Sequence, residues 1–320
     1  MNGPGVIPNA KVAVVGAGAV GSSMAYACLI RRSARTVALY DVDRAKVEAE
    51  VLDLAHGALV TGAAEVEGGA DPAVVEGAHV VVVTAGAKQR PGQTRLDLAA
   101  TNVRLLEQLM PVLVERAPDA VFVLVTNPCD VLTVAAQRLS GLPARRVLSS
   151  GTVLDTSRLR QVLAVRAGVA AGSIHANIVG EHGDSEFALW SQARIGPVPI
   201  LEWSSPGSAP ITVDKLERIT DEVRRAAYRV IEGKGATNYA IGLAGARIVE
   251  AILRDERAIL PVSTVHDGYH GLHGVALSMP SVVDASGVSA VLDLPLSPEE
   301  ERQLHASAAA LQRTQADLGL

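Results

Sequence analysis

The chain is poor in cysteine, has no excess of positive charge, and shows no internal repeat or low-complexity tract. Two cysteines in 320 residues, Cys28 and Cys129, exclude a disulfide framework and any metal cluster built from thiolates. Both stand in apolar stretches and read as buried free thiols of a reducing cytoplasm. A net charge of −5 and a pI of about 5.9 give no pull toward nucleic acid or an anionic membrane. With 48% hydrophobic and 20% charged residues, the composition excludes disorder, and the length admits two domains with ample core. No stretch reads as a membrane span. One stretch mimics a signal peptide: Lys11, an apolar run to Ile30, and Ala25-Tyr26-Ala27. The run holds three turn-forming glycines, and cleavage would delete them, so no targeting segment is expected.

What is present begins at residue 11. Val12 to Val15 read as a buried strand, followed by Gly16, Gly18 and Gly21, a helical stretch, and a second strand from Thr36 to Tyr40 that ends on Asp41. Gly16 permits a tight turn, Gly18 lets backbone approach a pyrophosphate, and Gly21 lets helix and strand pack closely. The helix N-terminus offers free N–H groups and partial positive charge to phosphates. Asp41 can accept hydrogen bonds from both ribose hydroxyls and would repel a 2′-phosphate, which favours NAD over NADP.

Residues 42–57 look helical and Val66 starts a short strand. Further strands are expected over 79–85, 120–125 and 146–149, with helices over 96–116 and 131–139. Strands alternating with helices make a doubly wound parallel sheet whose polar strand ends, at Gly16, Asp41, Thr84, Thr126 and Ser149, share one edge. The pattern changes near residue 152. Strand character over 174–178, 188–195, 198–201 and 259–265 mixes with helices over 214–232, 240–254 and 299–317. The expectation is an α/β fold: a Rossmann domain over 1–151, then a mixed α+β substrate domain over 152–320.

A nicotinamide site needs a group that moves a proton while hydride moves. His182 follows an apolar strand and is flanked by Gly180 and Gly183, so its ring can face a cleft. Asp155 and Arg158, at i and i+3, share one helix face. If that face meets His182, the carboxylate orients the ring and raises its pKa, and Arg158 presents a fork to a substrate carboxylate. A surface ion pair is the alternative on spacing alone. His266 to His273 resembles a metal tract by composition, but its glycines read as a surface hairpin, and no metal is expected.

Gly16-Ala-Gly-Ala-Val-Gly21, the 86–97 loop, Thr126-Asn-Pro-Cys-Asp130, Leu154-Asp-Thr-Ser-Arg158 and Gly180-Glu-His-Gly-Asp184 together resemble the L-lactate and malate dehydrogenase superfamily over nearly the whole chain. The resemblance implies a dimeric or tetrameric NAD enzyme, here taken as a homotetramer, that interconverts a 2-oxo acid and an L-2-hydroxy acid. It implies that His182 is the proton donor and acceptor, Asp155 its orienting partner, and Arg158 the carboxylate clamp. Asn127 would contact substrate and cofactor, Arg95 on a mobile loop would polarise the ketone, and Thr237 would stand beside the substrate side chain. Val20, Lys46, Gly86, Ala87 and Ser150 join the implied NAD contacts. In relatives the Asn127–Pro128 bond is cis.

In the malate branch an arginine two places before the Pro-Gly pair binds the second carboxylate. Here that place is Gln89. A dicarboxylate would carry an unpaired charge into a dry pocket, at a cost on the order of several kcal/mol. The lactate branch is therefore expected, with pyruvate and L-lactate as substrates; malate, a larger 2-hydroxy acid, or a catalytically idle NAD-binding subunit are the alternatives. Arg160 sits about 200° round the helix from Arg158 and cannot share its face. By the same resemblance Arg160 and His175 correspond to residues that bind fructose 1,6-bisphosphate at a subunit interface, so activation by that bisphosphate is expected.

Overall fold

The computed structural model describes residues 7–61, 64–87, 94–204 and 211–320. Six short strands come first: β1 (Lys11–Val15), β2 (Thr36–Tyr40), β3 (Glu65–Gly69), β4 (Val80–Val83), β5 (Val121–Leu124) and β6 (Val147–Ser149). They alternate with α1 (Ala19–Arg31), α2 (Arg44–Thr61), α3 (Arg95–Arg116) and α4 (Cys129–Ser140). The six pair in parallel in the order β3-β2-β1-β4-β5-β6. β4 is four buried valines, as a strand covered on both faces requires. The order reverses between β1 and β4, so the ends of those two strands open a crevice.

The second half supplies α5 (Val153–Ala167), the two-residue strands β7 (Ile174–His175), β8 (Ile178–Val179), β9 (Phe187–Ala188), β10 (Arg194–Ile195) and β11 (Val198–Pro199), and helices α6 (Val213–Lys234) and α7 (Tyr239–Leu253). It ends with β12 (Ala258–Leu260), β13 (Ser263–Tyr269), β14 (Leu272–Ser278), β15 (Ser281–Asp284), β16 (Gly287–Val291) and α8 (Pro298–Asp317).

Three expectations need correction. The apolar run over 259–265 is not one strand: Pro261, which has no N–H to give a ladder, splits it between β12 in one sheet and β13 in another. β13 then pairs antiparallel with β6, and β14 with β13, so the second half extends the parallel sheet to eight strands. The runs over 174–178, 188–195 and 198–201 break into two-residue strands, with helical turns at Trp190–Gln192 and Ile200–Glu202. The hairpin expected near His266 exists, but His266 is buried, and its Nε2 lies 3.0 Å from the Leu277 carbonyl oxygen.

α7 seals α1. A Cβ on Gly242 would lie 2.9 Å from the Ser23 carbonyl oxygen, and one on Gly245 would lie 2.0 Å from Met24 Cε, so α7 presents bare backbone to the backbone of α1 at the first and to the Met24 side chain at the second. Arg31 at the end of α1 donates through Nε and Nη2 to both oxygens of buried Glu250, and Ser33 adds a third hydrogen bond. Met24 and Ile248 are fully buried at this seam, where truncation to alanine costs about 2–5 kcal/mol. The helix that faces the crevice with its N-terminus is thus clamped from behind by the other half of the chain.

Candidate active site

At the crevice the three glycines divide the work. Gly16 has φ +106°, and a Cβ there would lie 2.7 Å from Ala85 N. A Cβ on Gly21 would lie 1.8 Å from the Gly16 carbonyl oxygen. Gly18 differs: nothing lies within 4 Å of an added Cβ, and as the N-cap of α1 it brings no side-chain hydrogen bond to the helix end. Open space in front of uncapped N–H groups is a cradle for phosphate oxygens, so the residues present fit a dinucleotide. Asp41 does more than expected. Its Oδ2 accepts from Ala17 N–H at 2.6 Å and its Oδ1 from Asp43 N–H at 3.0 Å, so the acid also ties down the turn.

The other expected cofactor residues lie along the same sheet edge or just beyond it. Val20 is half-buried in α1, Lys46 is exposed in the first turn of α2, and Ser150 is buried just past β6. Gly86 is exposed after β4, where a Cβ would meet Thr126 Cγ2 at 2.3 Å. Ala87 N–H donates to Asn102 Oδ1 at 2.8 Å, and Asn102 Nδ2 donates to the Asn127 carbonyl at 2.8 Å. Asn102, buried on α3, was missed in the sequence. It links the segments that follow β4 and β5, and its only local signal is one amide on the apolar face of a helix. The Asn127–Pro128 bond is cis.

The side-chain site is assembled from separate elements. His182 follows β8 through Gly180, which has φ +87° and no room for a Cβ, since Ser307 Oγ would lie 2.9 Å away. The loop is held on three sides. Gly180 and Ser278 of β14 exchange backbone hydrogen bonds, Ser307 on α8 accepts from Glu181 N–H at 2.7 Å, and Asp130 on α4 accepts from His182 N–H at 2.7 Å. His182 Nδ1 then meets Asp155 Oδ2 at 2.7 Å, and Arg158 Nη1 donates to Asp155 Oδ1 at 2.7 Å. The His182 side chain is 26% exposed against 3% for Asp155, so the imidazole reaches the opening and the acid stands behind it.

Burial alone would lower the proton affinity of His182. The charge and hydrogen bond of Asp155 outweigh it, Asp130 and Glu186 add to them, and the pKa rises to about 9. Burial would raise Asp155, but His182 first and Arg158 second hold it below the usual carboxylate range. Asp130, missed in the sequence, is fully buried, and burial pushes it up to about 6 against the pull of Ser263 and His182. Oxygens of Asp155 and Glu186 and a ring nitrogen of His182 lie within 4.8 Å of one another, a donor set in number. Arg158 already pairs with Asp155, and its charge and that of Arg224 act on Glu186, which opposes a cation there.

Arg95 is the first residue of α3 rather than part of the loop before it. Thr94 caps that helix, accepting from Asp97 N–H at 3.1 Å while Asp97 accepts from Thr94 N–H at 3.1 Å. Gln89 lies outside the described residues. Thr237 precedes α7 beside Asn238, whose side-chain amide donates to Ser23 of α1 at 2.8 Å. Arg160 points away from the site: its Nε donates to the Ala176 carbonyl at 2.9 Å and its Nη2 to Asn177 Oδ1 at 3.1 Å. His175, next to Ala176 on β7, is exposed.

Residues 10–149 match the family model described as the lactate/malate dehydrogenase NAD-binding domain, and residues 152–317 match its alpha/beta C-terminal domain. An L-lactate dehydrogenase of Bifidobacterium animalis subsp. lactis is 47% identical over 310 residues, 97% of either chain. One of Synechococcus sp. is 48% identical over 303 residues, 95% of this chain and 97% of that one. Among solved structures, the minor L-lactate dehydrogenase of Enterococcus mundtii superposes with a TM-score of 0.92 at 39% identity, covering 97% of this chain and 98% of that one. A lactate dehydrogenase from a deep-sea metagenome library gives 0.93 at 36%, covering 98% and 99%.

Proposed function

The chain belongs to the lactate/malate dehydrogenase family, and we propose that it interconverts pyruvate and L-lactate. The observation that carries this is the Arg158–Asp155–His182 chain of contacts beside a dinucleotide crevice. NAD, when bound, supplies or accepts the hydride. His182, protonated and held by Asp155, gives its proton to the oxygen of the ketone being reduced, and takes it back in lactate oxidation. Arg158 has donors left beyond the one spent on Asp155, and these bind the substrate carboxylate. Arg95 stabilises negative charge developing on that oxygen. Asn127 and Thr237 contact the substrate, and Asn127 the cofactor as well. Gly16, Gly18, Val20, Gly21, Asp41, Lys46, Gly86, Ala87 and Ser150 complete the NAD contacts. The domain over 1–151 supplies the NAD contacts and reaches the substrate through Gln89, Arg95 and Asn127, and the domain over 152–320 supplies Asp155, Arg158, His182 and Thr237.

Pyruvate is favoured over oxaloacetate because Gln89 offers no charge to a second carboxylate. Loss of absorbance at 340 nm with NADH and pyruvate, at least tenfold faster than with oxaloacetate, is the expected outcome; the reverse preference assigns the malate reaction, and no turnover with either leaves a non-catalytic NAD-binding subunit. We also infer activation by fructose 1,6-bisphosphate. Its support is the placement of Arg160 off the substrate face, with its Nε on the carbonyl of Ala176, the residue after exposed His175. A homotetramer in the cytoplasm is the assembly this reading carries; both thiols are buried and free, as a reducing compartment allows. No helix among the described residues is long and apolar enough to cross a membrane.

A further inference from the structure

Asp155 suffices to orient His182, and Asp130 tethers its backbone, yet a third carboxyl group is packed against the pair. Glu186, four residues beyond His182, is 2% exposed, and its Oε1 is buried without a hydrogen-bond partner. Its backbone is fixed, since its carbonyl accepts from Arg224 Nη2 of α6 at 2.8 Å. A buried acid with an orphaned oxygen costs folding free energy and so calls for an explanation, and this one stands within 4.8 Å of both members of the proton-transfer pair.

We propose that Glu186 is a positioning residue that acts through His182: it stays neutral while the imidazolium donates, and ionises as the solution turns alkaline, so that its new negative charge holds the proton on the ring. The inference rests on His182 as the proton carrier. The step is an acid dissociation: the Glu186 O–H proton leaves to solvent, and the electron pair stays on the carboxylate. The groups that face this centre come from each packed element: Asp155 and Arg158 from α5, Asp130 from α4, Arg224 from α6, and Glu181 from the loop itself. Burial, then the Asp155 charge, pushes Glu186 up to about 8 against the pull of His182, Arg224 and Arg158. His182 is held up as well, to about 9, so the two groups lose their protons over neighbouring alkaline ranges. Such a pair titrates as a unit, and removing one charge at this separation moves the other midpoint by about one pH unit.

Glu186→Gln keeps the shape and removes the ionisation. Histidine-selective NMR titration of the unliganded parent and variant reads the His182 midpoint without turnover, and the pH dependence of kcat/KM reads it with turnover. The expected result is a downward move of about one pH unit in the NMR midpoint. The alkaline limb of pyruvate reduction and the acid limb of lactate oxidation move with it. A role confined to packing would lower the plateau and leave the midpoints alone, and midpoints unchanged within about 0.2 pH unit overturn the proposal. Should the variant fold poorly, infrared titration of the parent decides: a protonated carboxyl band present at pH 7 and lost near pH 8 supports the proposal, and its absence at pH 7 overturns it. If His182→Asn leaves pyruvate reduction intact, the functional reading falls, and the NMR titration still decides the role of Glu186.

Discussion

The two sides of the cleft are built from different materials. The cofactor side is backbone: N–H groups at a helix end, two glycines that admit no Cβ and a third with open space before it, and one acid that ties the turn to the next strand. The substrate side is side chain: an imidazole, three carboxyls and a guanidinium contributed by α4, α5 and the loop after β8, with α8 and β14 bracing the loop from outside. Backbone sites are rigid because the ladder that makes the fold also makes the site. Side-chain sites depend on distant tethers, and their charges tune one another.

Mutations can break that contrast or sharpen it. The largest effect is expected at His182. His182→Asn should lower kcat by roughly 10²–10⁴-fold and leave NADH affinity, read by quenching of protein fluorescence, within about twofold; a matching loss of NADH binding would show that the two sides are not separable. Arg158→Ala comes next. It removes a charge from beside buried Asp155, at about 3–5 kcal/mol, and with Arg158 as the proposed carboxylate clamp it should raise the pyruvate KM by two orders of magnitude or more. Arg158→Lys should recover little of it, since a point charge cannot replace the fork. Normal pyruvate or oxamate binding in the alanine variant would sink the clamp assignment.

Gly21→Ala tests the backbone side. Its Cβ would stand 1.8 Å from the Gly16 carbonyl oxygen, and overpacking of this kind costs about 1–3 kcal/mol. NADH affinity should fall about tenfold or more together with a lower Tm, whereas Gly18→Ala, with open space around it, should weaken NADH binding without lowering Tm. Equal loss of stability in both would contradict the division of labour among the glycines. The smallest effect is regulatory. Fructose 1,6-bisphosphate should lower the apparent pyruvate KM several-fold in the parent and not in Arg160→Gln. No response of the parent across pH and protein concentration removes that site.

The same contrast explains what was legible beforehand. Strand, glycine turn, helix and Asp41 fall within about thirty consecutive residues, so periodicity and spacing reveal the cofactor side, and the six parallel strands follow from the alternation. Asp155 and Arg158 are visible as an i, i+3 pair, but their meeting with His182, 27 residues away, is a fact of packing. Asp130 is 52 residues from the histidine whose N–H it holds. Glu186 is masked by apolar neighbours, Phe187 to Leu189, and its significance is its burial. The transfer of β13 and β14 to the first sheet was equally hidden, because hydrophobic runs say that a strand is buried and not which edge it joins. Arg95 opens its helix because Thr94 caps it, and apolar periodicity, which begins at Leu96, does not mark that boundary.

The pH dependence of kcat/KM for pyruvate, compared between the parent and Asp155→Asn, tests the central claim most directly. With His182 as the proposed proton donor, reduction needs it protonated, and the neighbouring carboxylate raises its pKa to about 9, so activity should hold through neutral pH and fall above about 9. With the carboxylate neutralised, the fall should begin at least one pH unit lower. An alkaline limb at the same pH in both enzymes would contradict the account.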